Sequence, residues 1–273
     1  MHTRPIPSTG EPLPVIGCGT YRGFDVRPDR GASRRLAQVL DALFAAGGSV
    51  IDSSPMYGRA EAVTGELLAQ SNTHAKAFIA TKVWTRGREA GIAQMEESFR
   101  LLQTERIDLM QIHNLVDWRT HLPVLREWKE AGRIRYLGIT HYTSSAFADL
   151  EAVMRAEPLD FVQLNYSAVD RAAERRLLPL TAERGIAVIV NYPLASGAAV
   201  RGVSSRPLPD WAAELDCTSW SQLLLKFVVS HPAITCAIPG TGNPDHMADN
   251  ARAGAGRMPD EAMRARIAAA CAS

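Results

Sequence analysis

Eight short runs rich in valine and isoleucine, separated by longer amphipathic runs, constrain this chain more than any other feature. The apolar runs fall at residues 15–19, 50–53, 78–83, 108–113, 134–140, 161–165, 187–191 and 235–238. They are mostly continuous rather than alternating, as parallel strands covered on both faces must be. Between them the spacing predicts helices over 33–46, 60–69, 92–102, 121–131, 145–156, 172–184 and 220–229. Gly47-Gly48, Gly132 and Gly185 stand just past helix ends, where a left-handed residue stops a helix. Eight strands interleaved with helices predict a closed (β/α)₈ TIM barrel rather than an open doubly wound sheet. A chain of 273 residues fits one such barrel as a single domain, 1–273. The opening stretch 3–14 is expected to form a short N-terminal hairpin over the barrel bottom, turning at Gly10. The stretch 195–209 is too long for an ordinary connection and is expected to cover a ligand. Two extra C-terminal helices are expected at 244–253 and 260–271.

Three consecutive strand ends carry ionisable side chains. Asp52 closes the second strand, and Tyr57 follows in Asp52-Ser-Ser-Pro-Met-Tyr57-Gly58; Lys82 ends Thr81-Lys82; His113 ends the fourth strand. An acid, a phenol, an amine and an imidazole on one rim compose a proton-donating site. A tyrosine ordinarily loses its proton near pH 10. A neighbouring ammonium lowers that value, and a carboxylate keeps the ammonium charged. A phenol tuned in this way protonates a developing alkoxide. Taken singly, Asp52 and Tyr57 read as a loop carboxylate and a surface phenol, and His113 as a hydrogen-bonded structural histidine; their register with Lys82 argues otherwise. His74, His121 and His231 keep the structural reading. A zinc site from His113 and His141 lacks a third ligand at recognisable spacing, so no metal is expected. Lys82 as the Schiff-base nucleophile of a barrel lyase is a competing reading.

Charge and cysteine narrow the rest. The 30 basic and 29 acidic residues nearly cancel, which gives no footing for nucleic acid or an anionic membrane as partner. The four cysteines, Cys18, Cys217, Cys236 and Cys271, are scattered without metal-ligand spacing and fit a reduced compartment. The start lacks the apolar core of a secretory signal, and no run approaches a membrane helix, so a cytoplasmic protein is expected.

With those residues in view, nearly the whole chain resembles the aldo-keto reductase superfamily, in its short bacterial form. Asp52, Tyr57-Gly58, Thr81-Lys82 and His113 resemble the family's catalytic tetrad in order and strand placement. Arg135-Tyr-Leu-Gly138-Ile-Thr140-His141 resembles its fifth-strand signature, and Gln163-Leu-Asn165-Tyr166-Ser167 its sixth. Ile238-Pro239-Gly240-Thr241-Gly242-Asn243-Pro244, closing at Asn250, resembles its eighth-strand cofactor loop. The resemblance implies an oxidoreductase that reduces aldehydes or ketones with NADPH or NADH, binding the cofactor first. It implies hydride transfer to the carbonyl carbon with Tyr57 as general acid, Lys82 lowering the Tyr57 pKa, Asp52 holding Lys82, and His113 orienting the carbonyl. For the cofactor it implies Gly19, Thr20, Tyr21, Thr140, His141, Asn191, Pro193, Leu194, Ser196, Ile238, Gly240, Thr241, Gly242, His246 and Asn250, with Gln163 on the nicotinamide carboxamide. For a small-molecule carbonyl substrate the expected walls are Tyr21, Phe24, Trp84 and Trp118, joined by Trp211. The family's common state is a monomer. The alternative, from another class, is a regulatory or interaction subunit that binds cofactor on the same barrel with little turnover.

Three departures from the family pattern matter. The usual basic positions for the 2′-phosphate fall on Gly240 and His246, which points to relaxed or NADH-leaning preference. Many relatives stack an aromatic ring on the nicotinamide just before a Ser-Pro-Leu run; aligned on Pro193-Leu194, that place holds Asn191, with Tyr192 next. Either the strand register shifts or no ring stacks there. Little chain follows the last expected helix, so an open aromatic pocket accepting bulky carbonyls is expected. His141, at a place where the family commonly has asparagine, is expected to respond to pH.

Overall fold

The computed structural model describes residues 1–27 and 29–272; Pro28 and Ser273, both inside the expected 1–273 domain, lie outside the described residues. A hairpin of β1 (Thr3–Pro5) and β2 (Pro12–Pro14) opens the chain, with Gly10 at φ +76° in its turn. Strands and helices then alternate: β3 (Cys18–Gly19), α1 (Arg30–Ala45), β4 (Val50–Asp52), α2 (Ala60–Ser71), β5 (Phe78–Val83), α3 (Arg88–Leu102), β6 (Ile107–His113), α4 (Trp118–Glu130), β7 (Ile134–Thr140), α5 (Phe147–Ala156), β8 (Phe161–Asn165), α6 (Leu177–Arg184), β9 (Ala187–Asn191), α7 (Ala198–Val203), α8 (Trp220–Val229), β10 (Cys236–Ala237), α9 (Pro244–Arg252) and α10 (Glu261–Ala272). Each strand from β3 to β10 pairs in parallel with the next in sequence. Parallel bridges Ile16↔Ala237 and Gly19↔Gly240 join the first to the last, which closes the barrel that the alternation predicts. Among the described residues no helix is long and apolar enough to cross a membrane.

Strand alternation sorts the side chains into two cores. Outward residues such as Ile79, Met110, Leu137, Val162 and Val188 pack under the helices with Leu40, Leu68, Met95, Leu125, Leu150 and Leu224. Inward residues Val50, Phe78, Leu109, Tyr136, Phe161, Ala187 and Cys236 fill the lower barrel together with Ile6 and Leu13 of the hairpin. The β1–β2 hairpin is therefore the apolar plug of the barrel bottom, as expected. The packing is tight enough to require glycine on β7, where a Cβ at Gly138 would stand 2.7 Å from the Phe161 carbonyl oxygen.

Differences from expectation lie at boundaries and in one connection. Helix α3 starts at Arg88 and α4 at Trp118, each earlier than the periodicity indicated, because their first turns are polar. The 172–184 stretch divides into a 3₁₀ turn, Ala172–Arg175, and α6. The 195–209 stretch is not an irregular cover: it contains a 3₁₀ turn, Ala195–Gly197, and α7. Positive φ at Tyr192, Ala195, Ser196 and Gly197 bends the chain into that short helix.

The plug lies at the end opposite the ionisable strand ends, so its loss should act on stability alone. Leu13→Ala should destabilise the fold by about 2–5 kcal/mol, the range for a buried leucine. Urea unfolding would read this as a lower midpoint at unchanged slope.

Candidate active site

Above the apolar layer the inward positions turn polar. Lys82 and Asp52 are almost fully buried, with Nζ 2.7 Å from Asp52 Oδ2 and 2.7 Å from the Ser53 carbonyl oxygen. The other carboxylate oxygen, Oδ1, accepts from Gln163 Nε2 at 2.8 Å and from Gln111 Nε2 at 3.2 Å. Thr140 Oγ1 donates in turn to Gln163 Oε1 at 3.2 Å. Two charges taken out of water persist only when their remaining lone pairs and protons are also bonded, and here β4, β5, β6, β7 and β8 each contribute a group to that belt. Gln111 escaped the sequence reading although the two-residue alternation puts it on the face of His113.

Past β4 the chain turns through Pro55, with the Tyr57 N–H donating to the Ser54 carbonyl at 2.9 Å. Gly58, at φ +60°, takes the left-handed conformation that this turn needs, and a Cβ there would crowd the Asp25 carboxylate. This turn lays the Tyr57 ring over the ion pair, with Lys82 Nζ 5.0 Å from its centroid. His113 meets Tyr57 edge-on, centroids 5.9 Å apart, and its Nδ1 lies 2.9 Å from Ser54 Oγ. The structure thus brings together all four predicted residues and adds Ser54, which motif spacing did not reveal.

Burial dominates the protonation of this group. It pulls His113 down to about 2, assisted by the charge of Lys82, so the imidazole is neutral. It also lowers Lys82, against the opposing pull of Asp52. For Tyr57 the direction is opposite to that expected: burial first, and then the Asp52 charge, raise the phenol above its ordinary value. The physical reason is that the Lys82 charge is already matched by Asp52, leaving desolvation to decide. Lys82 is also fully buried and doubly hydrogen-bonded, which removes it as a nucleophile for a carbonyl carbon.

The rim around this group is aromatic. The exposed large apolar side chains Tyr21, Met56, Trp84, Tyr142 and Val169 all follow the C-terminal ends of barrel strands. Tyr21 lies 5.0 Å from Tyr57 and Trp84 6.3 Å from His113, centroid to centroid. Phe24 must be corrected: the Phe24 N–H returns to the Thr20 carbonyl, and the ring is fully buried in the outer core, so it is no pocket wall. Trp118 is half-buried at the start of α4 under Arg119, and Trp211 packs against Arg266 of α10.

The expected cofactor positions divide into several groups. Gly19 and Gly240 form the barrel closure, and a Cβ on Gly23 would lie 2.9 Å from the Thr241 carbonyl carbon, so the two loops meet backbone to backbone. Gly242 closes the same contact from the other side, its own Cβ position 3.0 Å from the Gly23 carbonyl oxygen. Thr20 is fully buried and donates to the Asp52 carbonyl, while Ile238 points into the inner core. Asn243 caps α9 by accepting from the Asp245 N–H; His246 and Arg252 are exposed on that helix and Asn250 is buried. Pro193 is buried, Leu194 half-buried, and Ser196 exposed in the turn before α7. Gln163, expected on a carboxamide, has both ends of its own amide engaged, by Asp52 and Thr140. At His141, Nδ1 accepts the N–H groups of Tyr142 and Thr143 at 3.0 and 3.3 Å, and burial lowers its pKa from the ordinary value.

The register question on β9 also has an answer. Asn191 pairs with Asn165 in unbroken register, and its Nδ2 donates to the His141 carbonyl at 3.2 Å. Tyr192 then leaves the strand at φ +50°, its ring 6.2 Å from that of Tyr142. No register shift carries a ring onto the strand end. Among the described residues five buried side-chain atoms lack any partner, and two of them are the Oδ1 atoms of Asn165 and Asn191. A cavity of about 630 Å³ lies at the other end of the barrel, lined by Glu11, Lys76, Arg106, Asp108 and Arg135 among others, away from all of these groups.

Comparison with known proteins bears on the whole arrangement. A model of the aldo/keto reductase family matches residues 15–270. Methylglyoxal reductase YeaE of Escherichia coli (strain K12) is 29% identical over 249 residues, covering 88% of this chain and 84% of that protein. Aldo-keto reductase YhdN of Bacillus subtilis (strain 168) is 26% identical over 212 residues, 72% of this chain and 63% of YhdN. The thermostable aldo-keto reductase Tm1743, solved with the inhibitor epalrestat, superposes with a TM-score of 0.81 at 24% identity, over 99% of this chain and all of that one. An aldo/keto reductase from Klebsiella pneumoniae, solved with NADP and acetate, gives 0.77 at 22% identity, over 94% and 91% of the two chains. These structural likenesses establish the (β/α)₈ fold.

The neutral His113 has a consequence for stability. Its folded pKa of about 2 lies below the ordinary 6.5, so between those values the unfolded chain binds the proton and the folded one does not. Stability is therefore full above about pH 6.5 and is lost as pH falls, by about 2 kcal/mol at pH 5 from this residue. Burial of His231, held down to about 4, acts in the same direction. Thermal melts should show Tm falling from pH 7 to pH 5, with a shallower fall in His113→Gln.

Proposed function

This chain belongs to the aldo/keto reductase family, and from that premise we propose that it reduces aldehydes or ketones with a nicotinamide dinucleotide. The observation that carries the reading is the buried Lys82–Asp52 pair beneath the Tyr57 ring, with a neutral His113 across from it. When bound, the cofactor supplies the hydride to the carbonyl carbon. Tyr57 donates its phenolic proton to the oxygen as charge builds there, and the raised pKa keeps that proton in place until then. The Lys82 ammonium, 5.0 Å from the ring, offsets the phenolate left behind, and solvent restores the proton. His113 offers a second N–H to the carbonyl oxygen. The Ser54 hydroxyl, 2.9 Å from Nδ1, donates there and keeps the ring proton on Nε2.

Backbone N–H groups around Gly240–Gly242 and the start of α9 suit the phosphates of the cofactor, and Thr241 and Tyr21 flank that path. With Gly240 and an exposed His246 at the usual basic positions, a 2′-phosphate gains little, so both NADPH and NADH serve. Tyr21 and Trp84 stand on either side of the Tyr57–His113 pair and favour a planar apolar carbonyl. YeaE carries the name of methylglyoxal, a small dicarbonyl; the aromatic mouth here suits a larger one. We take the chain to act as a single-domain monomer on a freely diffusing substrate.

Tyr57→Phe should lower kcat on an aromatic aldehyde by roughly 10²–10⁴, the span of general acid catalysis, with cofactor affinity nearly unchanged. Stopped turnover with intact binding is the diagnostic pair, and wild-type kinetics in the variant would end the proton-donor role. Titration of tryptophan fluorescence should give dissociation constants for NADPH and NADH within about tenfold, since Gly240 and the exposed His246 stand where a fixed Lys or Arg would hold the 2′-phosphate. A larger preference would show that another cation, such as Arg252, reaches that phosphate.

A further inference from the structure

We infer that Gln94 is a positioning residue for the substrate's ring: by fastening the backbone of Trp84 it fixes the indole beside His113, and with it a selectivity for planar aromatic carbonyls over small aliphatic ones. The inference rests on the reductase reading above. Trp84 is the first residue past β5, where the ladder with β6 has ended at Val83 and Ile112. There Gln94 reaches over from α3 and binds the backbone as a strand neighbour would. Its Oε1 accepts the Trp84 N–H at 2.5 Å, and its Nε2 donates to the Trp84 carbonyl at 3.3 Å. A backbone donor and a backbone acceptor leave the amide only one orientation.

The rest of the connection from β5 to α3 is held in the same manner, by side chains from outside it. His121 Nε2 lies 2.8 Å from the Thr85 carbonyl oxygen, which can only accept, so the ring proton sits on that nitrogen. The imidazole is fully buried, and Gly91 of α3 leaves room for it: a Cβ on that glycine would stand 2.4 Å from Cε1. Asp117 Oδ2 accepts the Gly87 N–H at 2.7 Å, while Oδ1 takes the Thr120 hydroxyl at 2.8 Å. Trp84, Thr85 and Gly87 are each fastened, and through Asp117 their loop is tied to the one that follows His113.

A backbone held at so many points carries a side chain that the core does not use. Trp118, Trp211 and Trp220 pack against the outer core, whereas Trp84 belongs to neither apolar cluster. Its indole is 41% exposed and stands 6.3 Å from His113, ring to ring. An aromatic group ordered before its ligand arrives loses little freedom on binding, and its flat face rewards a second ring over an alkyl chain. The imidazole that meets the carbonyl oxygen and the indole that meets the ring are joined by one set of fasteners. Their spacing is set in advance, and Gln94 is the member that touches Trp84 itself.

The test measures KM and kcat for 2-naphthaldehyde and propanal at saturating cofactor in wild type, Gln94→Ala, Trp84→Ala and the double variant. Gln94 is half-buried on α3, where alanine is the best helix former, so the fold should stand. Gln94→Ala should raise KM for 2-naphthaldehyde about fivefold, the size of an oriented aromatic contact, with kcat nearly unchanged and propanal unaffected. Added to Trp84→Ala, the same substitution should change that KM by less than about twofold, because the group it positions is gone. Three results would overturn the role of Gln94 and leave the reductase reading standing: a KM for 2-naphthaldehyde within about twofold of wild type in Gln94→Ala, an equal rise for both aldehydes, or a rise of the same size in the Trp84→Ala background. Reduction of neither aldehyde by wild type, with NADPH or NADH, would remove that reading and this inference together.

Discussion

The Lys82 ammonium and the Asp52 carboxylate, 2.7 Å apart and almost without solvent, set the conditions for everything around them. Bringing two ions into a barrel is expensive, and their attraction alone does not guarantee compensation. The remaining hydrogen-bonding capacity is taken up by Gln111 and Gln163, each delivered by another strand in fixed register, and by the carbonyl of Ser53, the residue after Asp52. A parallel barrel is suited to this, since inward positions from successive strands meet at one height. Loss of one ion would leave the other buried and unmatched, a defect of about 3–5 kcal/mol. The pair therefore belongs as much to the fold as to the chemistry above it.

From that layer the barrel is graded along its axis. Below it the interior is apolar and sealed by Ile6 and Leu13 of the hairpin. Above it stand Tyr57 and His113, two rings deprived of water, whose protonation is governed first by burial. Higher still, the loops present Tyr21, Trp84 and Tyr142 to solvent. The gradient from dry plug through matched ions to aromatic mouth separates stability from recognition. It also explains how a neutral imidazole and a protonated phenol coexist beside the ion pair: burial disfavours charge on both rings, the Lys82 charge helps keep the imidazole neutral, and the Asp52 charge helps keep the phenol protonated.

The barrel was legible in the chain because parallel strands and their covering helices leave different periods in the order of residues. Asp52 and His113 end β4 and β6 and Lys82 stands one residue before the end of β5, so three of the four ionisable groups could be read from strand ends, with Tyr57 five residues beyond Asp52. Helix starts were less visible, since Arg88 and Trp118 open first turns that are polar and carry no periodic signal. Phe24 shows another limit: an aromatic residue in a rim loop reads as a pocket wall, and only a turn back to Thr20 reveals that it is core.

By itself the sequence determined the eightfold alternation, the plug hairpin and the identity of the Asp52, Tyr57, Lys82 and His113 group, because these depend on local period and on position within a strand. What the tertiary structure alone decided are the relations between strands. It turned the Tyr57 phenol toward a higher pKa instead of a lower one, tied His141 to backbone donors, engaged Gln163 with Asp52, and left the Oδ1 atoms of Asn165 and Asn191 buried without a partner. Each of these outcomes is set by register, burial and the orientation of a partner on another strand. Such quantities exist only once the barrel has closed.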